Sequence, residues 1–254
     1  MREVKTVSLQ SNIEWKRWGR RDPLWAVCTE QERQRGGVEE WTDREFYAAG
    51  DADWRDFLPR WERYGLRRDS CLEIGCGAGR ITKQLSLAFA KVCAVDVSED
   101  MIERARSAIT GSNVEYYITD GLTLPLPDRS QTAVFSTHVM QHLDNGQVAF
   151  AYFAEMFRVL DRDGSIMIHV LLCEWPGAGR IAGLHRVLHR ALLGVSDSLA
   201  WLKRKLGIGL MRSTSLHTAS LHSSLEKIGF REIEFTTFST LRQRRLYSFV
   251  IARK

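Results

Sequence analysis

Residues 72–80 read LEIGCGAGR, and this stretch decides the fold. Glycines between a strand and a helix let the backbone approach a ligand closely, beside the positive end of the helix dipole. A dinucleotide-binding turn places its third glycine three positions after the second, whereas Gly79 follows Gly77 by two and Arg80 takes the expected position. Glu73 stands two positions before the first glycine. A pyrophosphate would disfavour that carboxylate, so the pattern favours a cationic ligand over a dinucleotide.

Short apolar runs alternate with helical segments on the C-terminal side of this turn. Strands are predicted at Ser70–Ile74, 92–97, Val114–Ile118, 133–136 and 165–172, and helices at 80–90, 98–109 and 146–160. This order predicts an α/β fold with a mostly parallel sheet and right-handed crossovers. A helix at Thr218–Ile228, a strand from residue 230 and a last strand at 246–252 follow, and the short link between the two strands predicts an antiparallel hairpin.

Two further regions flank or interrupt this core, which we place at residues 69–254. Residues 1–68 hold six of the eight tryptophans and no strand pattern, which predicts a helical, aromatic-rich extension that forms a cap or lid. Asp43 is the predicted N-cap of a helix there. Residues 174–216 show apolar residues at helical spacing, and we expect a helical insert that forms a lid or substrate region.

Composition narrows the class of protein. The five cysteines form no C-x-x-C pair, so we expect neither a disulfide framework nor a metal site. Residues 1–12 lack an apolar signal region and no apolar stretch approaches bilayer length, which indicates a cytoplasmic protein. The net charge of +5 is concentrated in residues 180–212, and contact of this stretch with RNA or a membrane is a minor alternative to a solvated helix face.

Two carboxylates follow consecutive predicted strands. Asp96 ends the second strand about 20 residues after the glycine turn, where an acid accepts hydrogen bonds from ribose hydroxyls. Asp120 follows the third strand and precedes Gly121 and Leu122, from where a carboxylate can reach an adenine amino group. Both lie on the edge of the sheet that carries the glycine turn, which indicates a nucleoside site.

These segments resemble the motifs of class I S-adenosylmethionine-dependent methyltransferases of the bacterial small-molecule type. The E-x-G-x-G-x-G pattern is matched in full, residues 96–101 match a D-x-S-x-x-M setting, and residues 225–230 resemble a late l-x-x-a-G-F signature. The resemblance implies a Rossmann-like, seven-stranded fold, S-adenosyl-L-methionine as cofactor and S-adenosyl-L-homocysteine as product. It also implies that Met101 flanks the adenine. The predicted cofactor-binding residues are Glu73, Gly75, Cys76, Gly77, Gly79, Arg80, Asp96, Val97, Met101, Asp120, Gly121, Leu122 and Ser136.

One position departs from the family pattern. The acid often found at the start of strand four is Thr132 here, which we expect to loosen contacts around the amino-acid end of the cofactor.

Methyl transfer requires alignment and sometimes a base, because the cofactor carries the reactive bond. His138 lies just past strand four and is the candidate general base, with a backbone-bonded residue at the start of a helix as the equal alternative. His142 lies four residues on, and the family resemblance implies that it is a packing residue.

The predicted reaction moves a methyl group to an O or N atom, less favourably a C atom, of a small organic acceptor. DNA is not expected as a substrate, because the chain lacks an Asn/Asp-Pro-Pro-aromatic run after strand four. An RNA- or lipid-directed methyltransferase and a catalytically inactive, cofactor-binding regulatory protein stay as alternatives. The glycine spacing and Glu73 disfavour a nicotinamide-dependent oxidoreductase.

Overall fold

A computed structural model describes residues 9–30, 33–173, 214–240 and 246–254. Its helices are α1 (Gln10–Arg21), α2 (Pro23–Val27), α3 (Asp43–Glu62), α4 (Thr82–Ala88), α5 (Glu99–Ala108), α6 (Gly146–Val159) and α7 (Thr218–Ile228). Its strands are β1 (Ser70–Ile74), β2 (Lys91–Asp96), β3 (Val114–Ile118), β4 (Gln131–Ser136), β5 (Leu160–His169), β6 (Leu172–Cys173), β7 (Leu216–His217), β8 (Arg231–Ser239) and β9 (Leu246–Arg253). None of the helices in these ranges is long and apolar enough to cross a bilayer.

Seven strands form one sheet in the order β3-β2-β1-β4-β5-β9-β8. The first five strands are parallel, and β9 runs antiparallel to both β5 and β8. The structure therefore confirms the predicted α/β fold, its seven-stranded sheet and its closing hairpin. Strand order reverses between β1 and β4, and in open α/β sheets ligands bind in the crevice beyond the carboxyl ends of strands at such a point.

Apolar side chains cover both faces of the sheet, as expected for parallel strands. Successive residues of a strand point to opposite faces, so Leu72 of β1 joins the layer beneath α6 and α7 while Cys71 joins the layer beneath α3 and α4. Trp61 of α3 is fully buried and its indole Nε1 donates to Ser165 Oγ of β5 over 2.8 Å. Helix α3 is thus part of the sheet's packing.

The N-cap prediction for α3 is wrong by one residue. Thr42, not Asp43, caps the helix: Thr42 Oγ1 accepts from the Glu45 amide, and the Glu45 carboxylate accepts from the Thr42 amide. This reciprocal pair satisfies two amides that would otherwise lack partners. Asp43 lies in the first turn, where its charge suits the positive end of the helix dipole.

Strand five begins earlier than the sequence predicts. We expected residues 165–172, whereas β5 starts at Leu160, which pairs with Gln131 ahead of a register shift in β4. Asp163, inside this strand, has a left-handed φ of 62°. Of the predicted 174–216 insert, residues 174–213 lie outside the described residues, and these include the whole basic 180–212 stretch. The remaining end enters β7, which pairs with β6.

Candidate active site

The glycine turn after β1 is fixed by backbone hydrogen bonds to β2. The amides of Gly75 and Cys76 both donate to the carbonyl of Val95, over 2.8 and 3.0 Å. Gly75 and Gly77 have φ values of 70° and 53°, a region that side chains disfavour. A Cβ at Gly75 would also lie 2.2 Å from Val139 Cγ2, and one at Gly77 would lie 2.6 Å from Val27 Cγ2. Both glycines are therefore required by conformation and by space.

Asp96 reaches from the end of β2 to this turn. Its Oδ2 accepts from the amide of Gly77 and its Oδ1 accepts from the amide of Ser98, each over 2.9 Å. An ionised carboxylate has about four acceptor sites, so these two contacts do not use up its capacity to accept from a ligand hydroxyl. Burial raises the pKa of Asp96, although these amide contacts act in the opposite direction.

Glu73 lies in β1 directly before the turn and is buried. Its Oε2 accepts from Thr82 Oγ1 over 2.6 Å. Burial raises the pKa of Glu73 to about 8, with the Thr82 hydrogen bond and the charge of Arg80 opposing the shift. A buried carboxyl of this kind ionises readily only when a positive charge comes near it.

Helix α3 braces the other side of the turn. Arg80 forms a buried ion pair with Asp53, and Tyr47 Oη donates to the carbonyl of Ala78 over 2.8 Å. Gly50 lies against the turn so closely that a Cβ there would stand 2.2 Å from the carbonyl oxygen of Arg80. The extension therefore contacts the glycine turn directly.

A cavity of about 270 Å³ opens beside the turn. Helices α1 and α2, the segments after β3 and β4, and the start of β9 contribute its other walls. Eight of the predicted site residues line it: Glu73, Gly75, Cys76, Gly77, Arg80, Asp96, Val97 and His138.

Three predicted residues have structural contacts and do not line the cavity. Gly79 has a φ of 85° and packs against α5, where a Cβ would lie 2.6 Å from Ile109 Cδ1. Met101 is buried in the apolar cluster of α1, α2 and α3. Ser136 is fully buried and its hydroxyl donates to the carbonyl of Ile74 over 2.9 Å.

The three predicted residues after β3 also fall outside the lining. The Asp120 carboxylate accepts from the amides of Leu122 and Thr123 over 2.8 and 2.7 Å, and these contacts lower its pKa against the effect of burial. Gly121 lies under Asn12 of α1, whose Oδ1 would stand 2.5 Å from an added Cβ. Leu122 packs on the main apolar cluster. Thr119 lines the cavity from this segment instead.

His138 projects from the segment after β4 with a left-handed φ of 61°. Such a conformation is uncommon for a residue with a side chain and persists only where surrounding contacts enforce it. The His138 ring lies 4.7 Å from the ring of His169 and 5.2 Å from the ring of Tyr247, measured between centroids. Burial lowers the pKa of His169 to about 4, and the charge of His142 adds to the effect.

Several cavity residues were missed by the sequence analysis. Thr137 and Tyr247 line the cavity, and so does His142, whose ring stands 5.2 Å from that of Trp15 in α1. The interpretation of His142 as a packing residue is therefore incomplete. Tyr247 carries no local motif, and only the pairing of β9 with β5 brings it to this edge of the sheet.

Thr132 lies away from the cavity, so the expected effect of this departure is wrong. Its Oγ1 donates to the carbonyl of Ser70 over 2.8 Å and accepts from the amide of the same residue over 3.0 Å. Ser70 begins β1, at the edge of the sheet opposite the glycine turn. Thr132 therefore acts on strand pairing.

Metal ligation finds no support in the part of the chain that the structure describes, where no group of three or more His, Cys, Asp or Glu side chains could hold an ion. The five cysteines are all unbridged thiols.

Part of the chain that forms this site matches a known protein family. Residues 72–168, which run from β1 through β5, match the family described as a methyltransferase domain. This match and the relatives described next are consistent with the predicted class I, S-adenosylmethionine-dependent type of methyltransferase.

Relatives of the methyltransferase domain act on different acceptors, as their names state. The chain is 32% identical over 153 residues to a malonyl-[acyl-carrier protein] O-methyltransferase of Hahella chejuensis, covering 56% of this chain and 53% of that protein. It is 27% identical over 127 residues to a demethylmenaquinone methyltransferase of Tropheryma whipplei, covering 49% of this chain and 50% of that protein. The chain thus spans about half the length of the curated relatives it matches.

Among solved structures, the N-methyltransferase NodS from Bradyrhizobium japonicum is similar in fold. It is 16% identical, with a TM-score of 0.58 over 96% of this chain and 98% of that one. At this identity the likeness shows the shared fold.

Proposed function

We propose that this protein binds S-adenosylmethionine at the glycine turn and transfers a methyl group to an O or N atom of a small organic acceptor. One observation carries the proposal. A single cavity contains the glycine turn and Asp96 at one side and His138 and Tyr247 at the other. Because β1 and β4 are neighbours in the sheet, the glycine turn lies beside the segment that carries His138: a Cβ at Gly75 would stand 2.2 Å from Cγ2 of the next residue, Val139.

The described residues fit this cofactor. Asp96 is a carboxylate acceptor in the cavity wall that suits ribose hydroxyls, and Glu73 gains a favourable partner when a cation lies near it. Two hydroxyl oxygens, Ser11 Oγ and Thr137 Oγ1, are buried in residues that line the cavity and have no hydrogen-bond partner among the described residues. Unsatisfied buried polar atoms are unfavourable, so a polar ligand here would stabilise the site.

When bound, the cofactor supplies an activated methyl group on a positively charged sulfur. The protein's contribution is to hold the acceptor in line with that group and to exclude water. In our proposal His138 faces the acceptor and accepts the proton that a hydroxyl or amine loses. His169 has a lowered pKa and stays neutral near pH 7, so it adds no positive charge beside a protonated His138.

The small size of the acceptor is inferred from the cavity. Its volume of about 270 Å³ is just below the range typical of small-molecule pockets, which is about 300–1,000 Å³. The relatives named above support small acceptors but differ in the atom they methylate. RNA or membrane contact through residues 180–212 stays a prediction, because that stretch lies outside the described residues.

The test is transfer of isotope-labelled methyl groups from S-adenosylmethionine to separate pools of small metabolites, RNA and lipid vesicles. We expect label in the small-metabolite pool, lost in Asp96→Ala. Label confined to RNA or lipid would contradict the acceptor proposal, and cofactor binding without transfer to any pool would favour a regulatory protein. His138→Gln should lower the rate and flatten its dependence on pH near neutrality, and an unchanged pH profile would remove His138 as the base.

A further inference from the structure

Helix α1 closes over one half of the cavity. Its residues Ser11, Asn12 and Trp15 line the cavity, although they are distant in sequence from the glycine turn. The side-chain amide of Asn12 donates to the carbonyl of Asp120, after β3, over 2.7 Å. Further along, Gly19 lies against the start of α5, where a Cβ would stand 2.3 Å from Ser98 Oγ. The helix therefore runs over the segments that follow β2 and β3, which is the half of the cavity that holds Asp96.

The first turn of α1 is held by a carboxylate from a distant part of the chain. Leu9, its N-cap residue, offers no side-chain hydrogen bond. Asp144, which lies between β4 and α6, accepts from the amide of Gln10 through Oδ2 and from the amide of Ser11 through Oδ1, each over 2.8 Å. First-turn amides need such partners, and a negative charge there also suits the helix dipole. Asp144 thus fixes where Ser11 stands.

Ser11 is the residue in this turn that points to a ligand. It is 3% exposed, it lines the cavity, and its Oγ has no hydrogen-bond partner among the described residues. We propose that Ser11 hydrogen-bonds the nucleoside half of the cofactor and that Asp144 is a positioning residue that holds Ser11 there. The inference rests on the proposed function, because it names a new contact for the same cofactor.

The test compares two probes in calorimetric titrations of the full chain. S-adenosylhomocysteine carries nucleoside, sulfur and amino acid, whereas 5′-methylthioadenosine lacks the amino acid. Loss of one neutral hydrogen bond is expected to raise the Kd about fivefold, so Ser11→Ala should weaken both probes by that factor. An unchanged Kd for S-adenosylhomocysteine in Ser11→Ala would overturn the inference, and so would weakening of that probe without weakening of 5′-methylthioadenosine.

Asp144 is tested through its coupling to Ser11. Asp144→Ala should weaken S-adenosylhomocysteine binding about fivefold or more, because the first turn of α1, which carries Ser11, loses its cap. Asp144→Asn keeps one acceptor oxygen and should recover part of the lost affinity. If Asp144 acts through Ser11, the double variant should lose less than the product of the two single factors. Fully multiplicative losses would show that Asp144 has only a structural role.

Asp100→Ala is the matched control. Asp100 also contacts α1, through an exposed ion pair with Arg20 at the other end of the helix, and such pairs contribute little. This variant should bind S-adenosylhomocysteine as the wild type does. Failure of the wild type itself to bind would instead defeat the proposed function, so the two failures are distinguishable.

Discussion

Acidification should destabilise this protein through His169. The residue ends β5 with 3% of its surface exposed, and the rings of His138, Tyr247 and Phe249 lie around it. Burial lowers its pKa from 6.5 to about 4, with a further contribution from the charge of His142. The folded state therefore holds fewer protons than the unfolded state between these values. The stability from His169 is fully present above about pH 6.5 and is lost as the pH falls towards 4.

The magnitude follows from the shift. The pKa changes from 6.5 to about 4, and one pKa unit corresponds to about 1.4 kcal/mol, so the complete effect is about 3 kcal/mol. Integration of the two titration curves to about pH 5 gives roughly 2 kcal/mol lost relative to about pH 8.

Urea unfolding at about pH 8 and about pH 5 measures this loss. His169→Phe keeps a ring and His169→Asn keeps a polar group, and neither side chain titrates in this range. The pH-dependent loss should be about 2 kcal/mol smaller in both variants than in the wild type. His222→Ala, at an exposed position in α7, is the control and should keep most of the wild-type loss. An equal loss in wild type and both His169 variants would refute the reasoning.

Three further predictions concern the glycine turn and helix α3, which packs against it. Asp53→Ala removes the buried partner of Arg80 and should lower the unfolding free energy by about 3–5 kcal/mol, whereas Asp51→Ala, which breaks only a partly exposed pair, should change it little in the same calorimetric melt. Glu73 has a pKa of about 8 and is mostly protonated at pH 7. A cation that binds beside Glu73 should therefore make this carboxyl release its proton, and the affinity for the cation should increase as the pH rises towards 8. Titrations of S-adenosylmethionine, whose sulfur is positively charged, in buffers of different ionisation enthalpy detect that proton. Its release should vanish in Glu73→Gln, and a buffer-independent heat in the wild type would contradict the assignment. Thr42→Ala loses the capping box of α3 and should cost about 1 kcal/mol in urea unfolding, and no change would show that the cap is not needed.

Local patterns predicted the elements around the glycine turn well. The spacing of the three glycines places a strand before them and a helix after them. The helix predicted from residue 98 is α5, and Ser98 caps it by accepting from the Met101 amide. These features depend on residues within a few positions of one another. The same local reasoning missed the early start of β5, because that start depends on pairing between Leu160 and Gln131 of another strand.

The hydrogen-bond partners of Asp96 and Asp120 could not be predicted from the sequence. Both follow a strand at the same edge of the sheet, and both were predicted to contact the nucleoside, Asp96 at the ribose and Asp120 at the adenine. The structure directs the Asp96 carboxylate to the amide of Gly77 and the Asp120 carboxylate to the amides of its own turn. Which amide a carboxylate accepts from depends on the path of the following loop, and the residue type alone does not determine it.

Ser11, His169 and Tyr247 had no signal in the sequence. Each is an ordinary residue in an ordinary helix or strand pattern. They become relevant because α1 is held by Asp144 over one side of the cavity and because β9 pairs with β5 on the other. Such contacts join residues that are far apart in sequence, and they form only when the whole sheet has assembled.

The most direct test of the account is calorimetric titration of the wild type, Asp96→Asn and Asp120→Asn with S-adenosylhomocysteine. We expect the wild type to bind and Asp96→Asn to bind at least about tenfold more weakly, because hydrogen bonds from ribose hydroxyls to a charged acceptor are lost. Asp120→Asn should stay much closer to the wild type, since its carboxylate contacts its own turn. Absence of binding to the wild type, or equal binding to Asp96→Asn, would contradict the claim that the glycine turn and Asp96 form the cofactor site.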